Sequence, residues 1–234
     1  IGALAEANPN LAVVIVSGNA VAMPWIDRVP AVLEAWFSGS EAGNALADVV
    51  FGAVNPSGKL PFTFPVRLED NGAHALGEYP GADKVKYNES IFVGYRWHDK
   101  EQLKPLFAFG HGLSYTAFAV GNVKADRTTL APNGSIRISA DVTNTGDRAG
   151  AEVVQLYIGD EQSSLPRPVK ELKGFQKVSL NPGQTRTVTF EITPGMLQYY
   201  DDAKGAWVAE PGAFTAYVGA ASDDIRGTVE FELK

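Results

Sequence analysis

Leu11-Ala12-Val13-Val14-Ile15-Val16-Ser17 decides the fold of the first part of the chain. Seven residues with no charge and no alternation fit a strand buried on both faces, the pattern of a parallel sheet covered by helices. A second run of this kind, Ala31 to Phe37 (AVLEAWF), comes next. Ser38-Gly39-Ser40-Glu41 then reads as a helix start, with a capping serine and a first-turn carboxylate. Ala42, Leu46, Val49 and Val50 recur at helical spacing, ending at Gly52. Upstream, Ile1 to Ala7 reads as the tail of a helix stopped at Asn8-Pro9, because proline cannot continue it. With neither an initiator Met nor an N-cap, Ile1 is expected to lie inside a longer protein. Two strands and one helix cannot cover both faces of a sheet. This α/β fragment, part of a mostly parallel sheet with flanking helices, is therefore expected to need preceding polypeptide.

Downstream the pattern changes twice. Residues 66 to 90 are polar, rich in Gly, Asp, Asn and Lys, and without periodicity, so they predict a wrapping or functional loop. Ile91 to His98 alternates Ile91, Val93, Tyr95 and Trp97 with Phe92, Arg96 and His98, which predicts a strand. Phe107 to Tyr115 is a glycine-punctuated aromatic hinge. From about residue 117 the signal is all-β: Ile136, Ile138, Ala140 and Val142 alternate with polar residues, as do Val154, Leu156 and Ile158, and Val188, Phe190 and Ile192. Phe214, Ala216 and Val218 form another face, and Val229, Phe231 and Leu233 the last. Pro132-Asn133-Gly134, Asn144 to Asp147, Asn181-Pro182-Gly183 and Glu210-Pro211-Gly212 supply the turns. About seven short half-buried strands predict an immunoglobulin-like sandwich.

Composition narrows the partners. The 234 residues are 45% hydrophobic, enough to bury a sizeable core in one large or two ordinary domains. A net charge of −7 argues against nucleic acid, and no basic run marks an anionic membrane surface. There is no cysteine, which excludes disulfides, thiolate nucleophiles and cysteine-ligated zinc. No apolar stretch approaches the ~20 residues that span a bilayer. The compartment is left open.

Three stretches in this order carry a resemblance: Val49 to Pro65 (VVFGAVNPSGKLPFTFP), Tyr87 to Arg96 (YNESIFVGYR) and Pro105 to Tyr115 (PLFAFGHGLSY). With Val142 to Gly219 they resemble the C-terminal half of glycoside hydrolase family 3, the β-glucosidases and related exo-acting enzymes. The resemblance implies that residues 1 to 65 end an α/β sandwich domain, 66 to 116 connect, and 117 to 234 form a fibronectin type III-like sandwich. It also implies a retaining hydrolysis of non-reducing-end sugars by the complete protein, with no cofactor and no metal. Such chemistry needs two carboxylates ~5–5.5 Å apart. In the family the nucleophilic Asp lies in an N-terminal β/α barrel and the acid/base Glu on the α/β domain, both upstream of Ile1. No catalytic residue is thus expected here, substrate-binding residues are unassigned, and the missing N-terminal region, in the same or a separate chain, becomes the expected partner. Adding a barrel of ~250 residues to the rest of the sandwich domain puts ~400 residues before Ile1. Sugar and linkage specificity is expected to be decided mainly there, with the Val66 to Asn88 loop reaching the pocket rim.

The remaining acids, histidines and aromatics are read as structural. Asp160-Glu161, Asp201-Asp202 and Asp223-Asp224 sit in or beside turns, where solvated carboxylates are routine. Glu41 stands at the C-terminal end of a parallel strand, where open sheets place ligands, but a first-turn acid is the plainer role. Glu89 is the acid of the Tyr-x-Glu-x-Ile/Val-x-x-x-Tyr-Arg pattern, with Ser90 where glycine is common; it is expected to pair with a cation, Arg96 being one candidate. Ser38 to Gly43 lacks the glycines of a nucleophile elbow and of dinucleotide or phosphate loops. His74, His98 and His111 are too scattered for a zinc pair. Trp36 and Trp97 are expected in strands, filling cores. Together with Trp25, Trp207 and Tyr199-Tyr200 these two also raise sugar stacking, with Tyr199-Tyr200-Asp201 the carbohydrate-site candidate. The alternative function is a non-catalytic carbohydrate-binding or adhesion module built on the sandwich, or a small subunit of a split hydrolase.

Overall fold

The structure is a computed structural model describing all 234 residues. Its first part contains α1 (Gly2–Ala7), β1 (Ala12–Ile15), β2 (Ala31–Glu34) and α2 (Ala42–Val50). The two strands pair in parallel, Ala12 opposite Ala31 and Ile15 opposite Glu34, and form a sheet of two strands with both outer edges unpaired. Burial on both faces is not reached: Val16, Phe37 and Phe51 stand 64%, 77% and 86% exposed. Runs this apolar are stable only when covered, so the open faces agree with a sheet that continues into other polypeptide.

The helix start differs from expectation in its detail. Gly39–Glu41 form a 3-10 turn that leads into α2, and no side chain caps either element. The Ser38 hydroxyl donates back to the Ala35 carbonyl, and Glu41 accepts from Asn44 at 2.6 Å. Residues 66 to 90 are not uniformly irregular either: Leu68–Asp70 make a 3-10 turn and α3 spans Gly72–Ala75. The predicted strand at Ile91 to His98 is α4, Tyr95–Glu101. Gly94, at φ 57°, breaks the extended path; the amides of Ser90, Phe92 and Val93 close local turns before it, and that of Arg96 closes one across it. Alternation over eight residues was coincidental: Ile91 and Val93 point to solvent, while Trp97 and His98 fill the interior from a helix.

The remainder is an all-β sandwich. Its strands are β3 (Phe118–Ala125), β4 (Thr129–Leu130), β5 (Ile136–Asn144), β6 (Gly150–Asp160), β7 (Glu171–Leu180) and β8 (Thr185–Ile192). After α5 (Pro194–Leu197) come β9 (Tyr199–Asp201), β10 (Ala206–Val208), β11 (Gly212–Ala221) and β12 (Asp224–Leu233). One sheet has the order β4-β12-β11-β6-β7 and the other β3-β5-β8, while β9 and β10 form a separate hairpin. The inward positions of these strands build one cluster of 19 buried residues, from Leu130 to Leu233, including Ile138, Leu156, Phe190, Phe214 and Phe231. None of it comes from the α/β part. The sandwich therefore carries its own core, which the first part lacks.

Candidate functional site at the junction of the two parts

The α/β part is tied to the sandwich by the same stretches that the sequence singled out. Residues 58–60 run against residues 110–112: the Leu60 amide donates to the His111 carbonyl at 2.8 Å, and the Gly110 amide to the Leu60 carbonyl at 2.8 Å. The approach is close enough to demand glycine. A Cβ on Gly112 would lie 2.2 Å from the Gly58 carbonyl oxygen, and one on Gly110, at φ 82°, would lie 2.3 Å from Gln155 Oε1. Lys59 completes the contact. Its ammonium donates to the Gly112 carbonyl and to Glu152 of β6, both at 2.7 Å, with Lys59 and Glu152 side chains each 12% exposed.

Asn55 fixes the neighbouring chain. Its carbonyl oxygen accepts from the Ser114 hydroxyl and the Tyr115 amide, and its amide donates to Ala149. Gln155 of β6 works in the same manner, donating to Gly110 and Ala220 while accepting from the Tyr157 hydroxyl. Burial pushes that tyrosine's ionisation well up, so it remains a neutral donor. Rings then run from the end of β2 into the junction: Trp36 on Phe62 (5.3 Å), Phe62 on Phe64 (5.6 Å), Phe64 on Phe107 (6.2 Å), Phe107 on His111 (5.2 Å). Trp36 lies past the strand end, at φ 51°, and Trp97 on α4, so neither is a strand residue as expected. Both nevertheless pack inward, Trp97 being buried.

Helix α4 docks on the edge of β7. The Leu172 amide donates to the Tyr95 hydroxyl at 2.9 Å, Lys170 pairs with Asp99 at 2.6 Å, and Arg96 with Glu171 at 3.3 Å. Arg96 is thus engaged away from Glu89, whose Oε2 is buried without a hydrogen-bond partner. The expected Glu89–Arg96 pair is replaced because α4 turns the guanidinium toward β7. Asp160 is likewise not solvated: its side chain, 5% exposed, pairs with Arg167 at 2.9 Å. Its neighbour Glu161 accepts from Thr215. Asp201 is buried and holds Lys204 at 2.8 Å, while Asp224 binds Arg226 at the β11–β12 turn.

The three histidines occupy separate environments. His74 tilts against Tyr79, His111 stacks on Phe107, and His98 is buried with neither ring nitrogen hydrogen-bonded. Burial lowers the His98 pKa below its ordinary value, outweighing the opposite pull of Asp99 and Asp70. A depressed folded-state pKa means that protonation favours unfolding. Stability should be fully present above the ordinary histidine value, about 6.5, and should fall as pH drops below it. Thermal midpoints followed from pH 7.5 to 5.5 should show this decline and show less of it in His98→Phe; identical slopes would remove His98 as the cause.

Residues 1–115 match the Glycosyl hydrolase family 3 C-terminal domain, and residues 152–222 match the Fibronectin type III-like domain. The chain belongs to glycosyl hydrolase family 3. Its relatives within the family are similar over almost all of its length. A β-glucosidase of Bacteroides ovatus, BoGH3A, is 54% identical over 99% of the chain, which covers 32% of that protein. Thermostable β-glucosidase B of Acetivibrio thermocellus is 49% identical over 96%, with 30% of that protein covered. Among solved structures, the β-glucosidase from Kluyveromyces marxianus in complex with glucose superposes with a TM-score of 0.91 at 43% identity, over 99% of this chain and 28% of that one. DesR, a β-glucosidase from Streptomyces venezuelae in complex with D-glucose, gives 0.93 at 41% identity, over 100% and 30%. The chain spans about a third of the length of these relatives, in which the corresponding region is part of a larger polypeptide. Within family 3 the two glycines and Lys59 acquire a plain meaning: they join an α/β unit to its fibronectin-like neighbour. Sequence reasoning missed that joint because its partners, such as Lys59 and Glu152, lie far apart along the chain.

Proposed function

We propose that these residues are the non-catalytic C-terminal portion of a retaining, exo-acting β-glucosidase-like enzyme, removing non-reducing-end sugars without cofactor or metal. The boundaries we propose are residues 1 to 65 for the end of the α/β domain, 66 to 116 for the connection and 117 to 234 for the sandwich. One observation carries this reading. The acids that are both buried and partnered, Asp70, Glu152, Asp160, Glu171 and Asp201, are held by Arg67, Lys59, Arg167 and Lys204. Such carboxylates are committed to structural cations within the fold, not free to exchange protons with a substrate or attack an anomeric carbon. The upstream region supplies both reactive acids, and the junction holds the α/β unit at a fixed orientation to the rest.

Purified residues 1–234 should not cleave an aryl β-glucoside, and the polypeptide extended upstream through a barrel should. Specific turnover by residues 1–234 overturns the reading. The exposed pair Tyr200 and Trp207 gives the carbohydrate-module alternative its best support, but the rings meet at 69°, edge to face, and share no flat platform for a pyranose. For the Val66 to Asn88 loop we propose a place at the pocket rim. Shortening it in the complete enzyme should shift KM between aglycones; unchanged kinetics across several aglycones rejects that role.

A further inference from the structure

A cavity of about 280 Å³ opens where α4 and its exit meet the β11–β12 turn. It falls just below the range of drug-sized ligand sites, about 300–1,000 Å³, and suits a smaller molecule. Thr63, His98 and Ser222 line it and are 7%, 5% and 4% exposed, while Gln102 and Lys104 stand nearer its mouth. Both ring nitrogens of His98 and the Thr63 hydroxyl are buried and lack a hydrogen-bond partner within the protein. Buried polar atoms are rarely left so, and several at one cavity wall are unusual. The Tyr95 ring contributes the adjoining aromatic surface.

The charge on the walls selects the class of ligand. Asp99 is already neutralised by Lys170 at 2.6 Å, which leaves Asp223 and Lys104 to balance one another. No excess of either sign favours an ion. What the walls offer is a set of neutral donors and acceptors (imidazole, hydroxyl and amide) beside one aromatic face. A neutral molecule carrying several hydroxyl groups satisfies them.

We propose that this cavity binds a neutral polyol of about monosaccharide size, held by His98, Thr63 and Gln102. The inference does not depend on the hydrolase reading, because Thr63 of the α/β part, His98 and Gln102 of the connecting segment and Ser222 of the sandwich meet at this cavity and are recognised by their own chemistry. A molecule bound there touches both parts and reinforces their contact.

The test uses the full-length protein and D-glucose as the probe. Equilibrium dialysis of wild type against His98→Phe and Thr63→Val reads only the difference, so sugar held in any other pocket cancels. The expected result is one additional glucose per chain in the wild type, weakened at least tenfold in each variant. Crystals soaked in glucose should show the ring beside His98 and Thr63. Equal binding by wild type and Thr63→Val, glucose in the crystal at soaking concentration only, or water alone in the cavity overturns the proposal. Thr63→Val preserves shape and keeps the comparison decisive if His98→Phe fails to fold.

Discussion

Replacing Arg167 by methionine is expected to cost about 3–5 kcal/mol, the penalty for stranding a buried charge whose partner has been removed. The Arg167 side chain is 7% exposed and binds Asp160 at 2.9 Å, Glu171 at 2.7 Å and the Leu197 carbonyl at 2.9 Å. Its guanidinium also lies 5.4 Å over the Tyr199 ring. Methionine matches the stem but leaves Asp160 with no cation and Glu171 with only Arg96 and Lys173, at 3.3 and 3.5 Å. For a domain of this size the loss corresponds to a fall of roughly 6 to 20 °C in Tm. Adding Asp160→Asn to Arg167→Met should recover part of it, since the stranded charge is then gone. A drop of less than 1 kcal/mol would show that water reaches these carboxylates.

The pH dependence of the same group follows from its sign. Burial pushes the Glu171 carboxyl up, but the Arg167 hydrogen bond and the charges of Lys173, Arg167 and Arg96 outweigh it and hold the pKa below its ordinary value. The contribution is present above the unfolded-state value, about 4.3, and is lost as pH falls below it toward the folded-state pKa. Arg167→Met should be correspondingly less sensitive to acid in that window.

Gly110→Ala is expected to have the largest effect on activity in the complete enzyme. The new methyl would sit 2.3 Å from Gln155 Oε1 on a backbone at φ 82°. Gln155 cannot swing aside, because its amide is committed to Gly110 and Ala220 and its oxygen to the buried Tyr157. The segment at Lys59 and Leu60, hydrogen-bonded to residues 110–112, would have to move instead, and with it the α/β unit. Reacting groups displaced by about 1 Å lose on the order of 10²-fold in rate. We therefore expect kcat for an aryl β-glucoside to fall about a hundredfold while the sandwich still melts cooperatively. Full activity in a folded Gly110→Ala protein would show that the joint does not set the catalytic geometry.

The sandwich was the more legible part. Alternation in Ile136 to Val142 and Arg186 to Ile192 reflects a physical two-residue period with one buried face, and the strands fall there. Val13 to Ile15 and Ala31 to Leu33 were legible as a parallel pair because uninterrupted apolar runs of that length have few other uses. Tyr95 to His98 misled because two buried side chains next to each other, Trp97 and His98, fit a helix and contradict a strand, yet the flanking Ile91 and Val93 completed a false alternation. The ion pairs were opaque for a different reason. Whether Arg96 meets Glu89 or Glu171 depends on where α4 lands, and no local pattern encodes that.

The way α4 lies along β7 has a further consequence. β7 ends the five-stranded sheet, and such a margin offers free amides and carbonyls to any passing strand. Tyr95 occupies one of those amides and the Lys170–Asp99 pair anchors the helix beside it. A fibronectin-like unit excised at residue 117 would leave this guard behind. It should fold, then stick to its own copies through β7, so that the docked helix serves as a shield against aggregation.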